Sequence, residues 1–233
     1  FEEETNLRCQ IVIDTSSSMY FPNKDFNKLL FSVYTSAALI YLLKKQRDAF
    51  GLSLFSDKIE FNSPAKSTSI HQKYLFSQLE TLLSETSLGQ KTSVADSLHE
   101  IAEQIHKRSL VILFSDMLEG QTDPEKLTEI FSALQHLKHN KHEIIVFNVL
   151  DHAKELDFEF ENRPYQFIDM ENGEEMKVQT SQIKASYQKA IENYRQNLKL
   201  KCAQFKIDLV DADINQGFYP VLNSYLLKRE KLT

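Results

Sequence analysis

Short apolar runs alternate with longer segments of helical period along this chain, and that rhythm restricts the fold more than any other feature. "RCQIVI" (8–13), "FGLSLF" (50–55), "SLVILF" (109–114) and "EIIVFNVL" (143–150) are of strand length and carry little polar alternation. A strand with one wet face alternates apolar and polar residues, whereas a parallel strand covered on both faces reads as a continuous apolar run. Between the first two lies "NKLLFSVYTSAALIYLLKKQ" (27–46), where Leu29, Leu30, Val33, Ala37, Ile40 and Tyr41 recur at steps of three and four and predict a long helix. Further helices are predicted at 71–85, 92–105, 124–138 and 181–204, with a short one at 217–229. In the second of these, Val94, Leu98, Ile101, Ala102 and Ile105 form one stripe, and Thr92 or Ser93 stands where a cap is needed. Pro124 opens the next at a favoured first-turn position.

Alternation of this kind builds a doubly wound, mainly parallel α/β sheet with helices on both faces. "KIEFN" (58–62) follows the second strand after only Ser56 and Asp57, a connection too short for a parallel crossover, so it is expected as an antiparallel edge strand. "KIDLV" (206–210) is the last strand of the six, and residues 157–180, with turn signals and scattered aromatics, read as a small excursion or hairpin. With 233 residues and no linker, repeat or low-complexity tract, a single domain over 1–233 is expected. A chain of this length buries about 70% of its unfolded surface and needs no staples.

A net charge of −6 argues against a nucleic-acid module. The cysteines, Cys9 and Cys202, lie in a strand and a helix and are expected as buried thiols, which fits a reducing compartment. No apolar run approaches the roughly 20 residues of a membrane span, no secretory signal is visible, and a cytoplasmic location is expected. Neither a glycine-rich phosphate cradle nor a G-x-S-x-G elbow is present.

The first strand ends in "VIDTSSSM", one carboxylate followed by Thr15, Ser16, Ser17 and Ser18. Ligands in doubly wound sheets sit beyond the carboxyl ends of the strands, where the strand order reverses. Asp116 follows the fourth strand in "LFSDM", and Thr92 opens the helix leading into that strand. If the first and fourth strands are neighbours, Asp14, Ser16, Ser18, Thr92 and Asp116 converge. In an extended loop the D-x-S-x-S spacing turns Asp14, Ser16 and Ser18 to one side. All five donors are oxygens, a set that suits Mg²⁺ or Mn²⁺ and disfavours Zn²⁺.

"IVIDTSSSM", the threonine ahead of the third helix and "VILFSDM" resemble the von Willebrand factor A domain. That resemblance implies a metal-ion-dependent adhesion site on Asp14, Ser16, Ser18, Thr92 and Asp116, and strand order 3-2-1-4-5-6 with strand 3 antiparallel. The C-terminal half, with "EFENRPYQFIDMENGEEM" and "IDLVDADINQGFYPVLNSYLLKRE", is similar to the bacterial domain-of-unknown-function 58 proteins. This narrower resemblance implies a MoxR-type AAA+ ATPase partner and a segment rich in Arg, Tyr and Asp upstream of Phe1. Gln90 and Lys91 stand where the family has small residues before its threonine, and no glycine follows Asp116.

The expected function is a metal-dependent protein-interaction module whose cation meets an acidic side chain of a protein partner. The alternative is a Mg²⁺-dependent hydrolase or phosphoryl-transfer enzyme, though no nucleophile–base pair is evident; an extracellular adhesin is a third option, disfavoured by the lack of a signal and of disulfides. His136, His139 and His142 in "HLKHNKH" are read as a helix end and loop rather than a zinc site, and Asp151 with His152 as a solvated loop.

Overall fold

The computed structural model describes residues 7–84, 93–121, 124–170 and 173–230. Its centre is a six-stranded sheet built from β1 (Arg8–Asp14), β2 (Ala49–Phe55), β3 (Ile59–Asn62), β4 (Leu110–Ser115), β5 (Glu143–Leu150) and β8 (Asp208–Asp213), in the order β3-β2-β1-β4-β5-β8. All neighbours run parallel except β2 and β3, which pair antiparallel. The expected order and the antiparallel third strand are both present. The sixth sheet strand is the eighth along the chain because a separate antiparallel hairpin, β6 (Pro164–Ile168) and β7 (Glu175–Gln179), intervenes, within the segment read as an excursion.

Among the described residues, six helices cover the sheet: α1 (Lys28–Lys45), α2 (Ser69–Ser84), α3 (Val94–Gln104), α4 (Pro124–His139), α5 (Thr180–Gln204) and α6 (Tyr219–Glu230). The pleat divides the core in two. Cys9, Ile11 and Ile13 of β1, with Leu110, Ile112 and Phe114 of β4, pack against α1, α2 and α6. Val12, Val111, Leu113, Ile144 and Val146 face the other way, against α3, α4 and α5. Successive side chains point to opposite faces, so an apolar run is what two covered faces require. Gly51 of β2 has a steric reason: a Cβ there would meet the Ser63 carbonyl at 2.7 Å. Cys9 and Cys202 are free and buried.

The buried face of α1 differs from the expected stripe. Leu29, Val33 and Ile40 are buried, but Tyr41 is 60% exposed and Leu30 only half-buried. Phe31, Ser32, Thr35, Ser36, Leu39 and Leu43 are buried as well. The small serines let the helix sit close to the sheet, and the Ser32 hydroxyl donates to the Lys28 carbonyl (2.8 Å), satisfying a polar group that burial would otherwise penalise. Lys28 itself, at the helix start, is 1% exposed.

Among the described residues no helix is long and apolar enough to cross a membrane.

Candidate metal centre at the strand ends

β1 and β4 are adjacent and parallel, so Asp14, the last residue of β1, and Asp116, just past β4, emerge at one edge of the sheet. The strand order reverses between them, with β2 on one side and β5 on the other. Both carboxylates line a cavity of about 350 Å³ together with Ser18, Phe21, Lys28, Ser115 and Glu155. Asp14 is 1% exposed and Asp116 4%.

The segment after β1 is not extended as its spacing suggested. Ser17–Tyr20 forms a 3-10 turn, and the backbone N–H of Ser16 donates to Asp14 Oδ1 (2.9 Å), the local bond by which an Asp side chain stabilises a turn. The turn still gathers the intended atoms: the Ser16 and Ser18 hydroxyl oxygens lie 3.2 Å apart, and the Ser18 hydroxyl hydrogen-bonds the Asp116 carboxylate. Thr15 points away, donating to the Phe55 carbonyl (2.8 Å) and to Glu60 (3.1 Å), and so stitches this loop to β2 and β3. Four of the five expected residues, Asp14, Ser16, Ser18 and Asp116, are thus brought together; Thr92 lies outside the described residues, as do Gln90 and Lys91.

Of the cavity-wall residues that were not anticipated, Ser115, Lys28 and Glu155 carry polar contacts to the aspartates or to one another. Ser115 donates its hydroxyl to Asp14 Oδ2 (2.7 Å) while accepting from the Met117 N–H (3.1 Å). Lys28 places its ammonium 2.7 Å from Asp116 Oδ2 and 2.7 Å from Glu155 Oε1. Glu155, on a single π-helical turn at His152–Leu156, also accepts from the Asp151 N–H (2.7 Å). The one available signal was Lys28 as the first residue of a helix, where the helix dipole disfavours a cation.

Met117 follows Asp116 directly. It adopts φ 55°, the left-handed conformation glycine favours. Tyr194 of α5 hydrogen-bonds the Met117 carbonyl, and Tyr187 donates to the Glu155 carbonyl (2.9 Å). One face of α5 therefore braces both loops that carry the outer carboxylates, and the fully buried Met117 side chain offsets the backbone cost.

The electrostatics are lopsided. Burial raises the Asp14 carboxyl, and the nearby Asp116 charge raises it further, to about 7, against hydrogen bonds from Ser16 and Ser115. For Asp116, burial also opposes ionisation, but the Lys28 ammonium and its hydrogen bond outweigh it and hold the group below the usual carboxylate range. Burial alone would lower Lys28; Asp116 and Glu155 more than reverse that, so the ammonium stays protonated. The Lys28 ammonium thus pairs with Asp116 and Glu155, while Asp14 is held by Ser16 and Ser115, so the buried carboxylates of the cavity outnumber its buried ammonium.

That donor set fits a hard dication: all the oxygens are carboxylate or hydroxyl, and the buried acids are incompletely matched by positive charge. Among the described residues there is no cluster of three or more His, Cys, Asp or Glu side chains arranged to hold a metal, so any centre here relies on hydroxyls beside its two aspartates. The histidine-rich segment is divided as expected: α4 ends at His139, His136 pairs with Glu103 (2.8 Å) and His99, and buried His142 accepts from the Ser109 N–H (3.1 Å). The reading of Asp151 as solvated is corrected. Asp151 is buried, caps the π-helical turn through the Lys154 N–H (3.3 Å) and accepts from Asn215 (3.0 Å).

Fold and carboxylates together define a doubly wound α/β domain with an acidic centre at its topological switch point. The chain belongs to the family described as "Protein of unknown function DUF58", whose model matches residues 1–197. No curated protein matches it in sequence. Among solved structures it is similar to the conserved hypothetical protein BatB from Bacteroides thetaiotaomicron, at 13% identity and TM-score 0.52, over 89% of this chain and 91% of that one. It is also similar to a D319A mutant of the PilB minor pilin from Streptococcus sanguinis, at 8% identity and TM-score 0.57, over 100% of this chain and 62% of that one. A looser likeness, at 15% identity and TM-score 0.47 over 62% and 38% of the two chains, is to proximal thread matrix protein 1 from the mussel byssus, with a zinc-occupied MIDAS motif. At 13% and 8% identity the first two likenesses are of fold alone.

Proposed function

We propose that this chain is a metal-dependent protein-interaction module in which Asp14, Ser16, Ser18 and Asp116, with Thr92, hold Mg²⁺ or Mn²⁺ at the sheet edge. The observation that carries the reading is the meeting of Asp14 and Asp116, from adjacent strand ends, in one cavity with the Ser18 hydroxyl, which has the Ser16 hydroxyl 3.2 Å behind it. A bound dication would supply an electrophile for a partner's acidic side chain. The chain's own residues do the rest: Ser115 and the Ser16 N–H orient Asp14, and Lys28 with the Leu118 N–H (3.1 Å) orients Asp116. A charge contact of this kind fixes orientation and specificity more than net affinity. By family resemblance the partner is a MoxR-type AAA+ ATPase or its client.

The test is Mn²⁺ titration of the wild type and of Asp14→Ala, followed by partner capture with and without Mg²⁺. Loss of Mn²⁺ binding in the folded variant, together with loss of capture, is expected; equal Mn²⁺ binding by the two proteins refutes the assignment. Phosphate-ester turnover that depends on Asp14 would favour the hydrolytic alternative instead.

A further inference from the structure

We propose that Lys28 is a built-in cation that competes with the metal for Asp116, so that the centre exchanges one positive charge for another rather than filling from empty. The inference rests on the metal-dependent reading above. Its basis is geometric. The Lys28 ammonium lies 2.7 Å from Asp116 Oδ2, one of the few oxygens able to reach a dication in the cavity. A charged donor at that distance is a strong hydrogen bond, and it occupies a carboxylate oxygen that a metal would need.

The second contact explains how the exchange can occur without stranding a charge. Lys28 is equally close to Glu155 Oε1, and Glu155 belongs to a different segment from the candidate ligands. Its other oxygen is fixed by the Asp151 N–H, while Tyr187 holds the Glu155 backbone. The ammonium therefore has a partner of its own that does not depend on Asp116. The stem of Lys28 is tethered as well: its backbone N–H donates to the Phe21 carbonyl (3.1 Å), Asn27 caps the helix at the Leu30 N–H (2.7 Å), and the ammonium stands 5.7 Å from the centre of the Phe21 ring. A surface lysine with freedom to leave would not compete in this way.

Two properties follow. Metal affinity is set lower than the oxygen set alone would give, because binding must overcome a resident ion pair. The metal-free protein also keeps Asp116 aligned and neutralised, so it remains folded and ready.

The experiment is Mn²⁺ titration, read by the paramagnetic resonance of free Mn²⁺, on wild type, Lys28→Gln and Lys28→Gln/Glu155→Gln, with thermal unfolding of each without and with Mn²⁺. Lys28→Gln should bind Mn²⁺ at least about tenfold tighter, melt lower than wild type without metal, and regain stability when Mn²⁺ is added. The double variant restores the wild-type net charge of the cavity and separates occupancy of Asp116 from general electrostatics. It should stay tighter than wild type, and its return to wild-type affinity would overturn the proposal. So would unchanged or weaker binding by Lys28→Gln. Should Lys28→Gln fail to fold, Glu155→Gln carries the test: with one full charge left to pair with, Lys28 turns to Asp116, and Mn²⁺ affinity falls at least about tenfold, an unchanged value again being fatal. If neither wild type nor any variant binds Mn²⁺, the metal-dependent reading fails and takes this inference with it; if wild type binds and only the Lys28 effect is missing, the inference alone fails.

Discussion

Two acidic regions of the sheet handle their charge in opposite ways. At the outer edge, around β8, Asp208, Asp211 and Glu143 face Arg195, Lys199, Lys138 and Lys228. Asp211 has Arg195 at 2.7 Å and Lys199 at 3.1 Å, and Lys228 bridges Asp208 (2.9 Å) and Glu143 (3.0 Å). Burial would raise Asp211 and Glu143, but these cations hold both below the usual carboxylate range. At the ends of β1 and β4 the ratio is reversed: Lys28 pairs with both Asp116 and Glu155, Asp14 beside them has no cation in contact among the described residues, and all four side chains are buried. Partly exposed acids matched by bases need no further partner. Buried acids left in excess do, because a desolvated charge costs several kcal/mol unless it is compensated. The contrast separates a solvated ion-pair network from a centre that can take up a cation.

The largest effect that can test this contrast is on metal-free stability. Lys28→Met removes the only ammonium paired with Asp116 among the described residues and leaves buried carboxylates facing one another. A loss of about 3–5 kcal/mol is expected by urea unfolding. A loss under about 1 kcal/mol would place Lys28 in the same class as the outer edge and erase the distinction.

A second effect is on the pH dependence. The Asp14 carboxyl is raised from 3.8 to about 7 by burial and by Asp116. The folded protein therefore holds a proton there that the unfolded chain has already released, so this group's contribution to metal-free stability is full below about pH 4 and is lost as the pH rises toward 7. His71 and His142, lowered from 6.5 chiefly by burial, act in the other sense: their contribution is present above about pH 6.5 and falls as the pH drops. Subtracting the profile of Asp14→Asn from that of wild type isolates Asp14. The difference should fall between pH 4 and 7, and a flat difference curve would show that Asp14 is not desolvated as described. Because a metal ligand must be ionised, Mn²⁺ binding should in turn strengthen across the same range.

The sheet was legible because burial on both faces leaves an unbroken apolar run, a pattern local to each strand. "SLVILF" and "EIIVFNVL" are cases in point. The aspartates were legible for a related reason: once β1 and β4 are neighbours, strand ends fix where Asp14 and Asp116 emerge. Lys28 and Glu155 were not, since their meaning lies in contacts 88 and 127 residues apart along the chain. Nothing within one turn of Lys28 distinguishes it from a solvated helix lysine except its unfavourable place at the helix start. The serine segment was misread in shape because the Asp14 side chain bonds the Ser16 N–H and closes a turn, a competition between side chain and backbone that alternation alone does not register. The face of α1 was misplaced because Leu30 and Tyr41 match the helical period as well as Ser32 and Ser36 match the space beside the sheet.

The smallest effect belongs to the outer edge and serves as the control. Lys199 is 53% exposed in its side chain and shares Asp211 with Arg195, which lies closer at 2.7 Å. Lys199→Met should cost no more than about 1 kcal/mol in urea unfolding, and 0.5 M salt should reduce even that, since exposed pairs are screened over a Debye length of only several ångströms. It should leave Mn²⁺ affinity unchanged, because the β8 network does not line the cavity at the ends of β1 and β4. A Lys199 effect as large as that of Lys28→Met would mean that the whole sheet edge behaves as one electrostatic unit, and that excess charge at Asp14 and Asp116 is relieved from a distance rather than by the ammonium beside it.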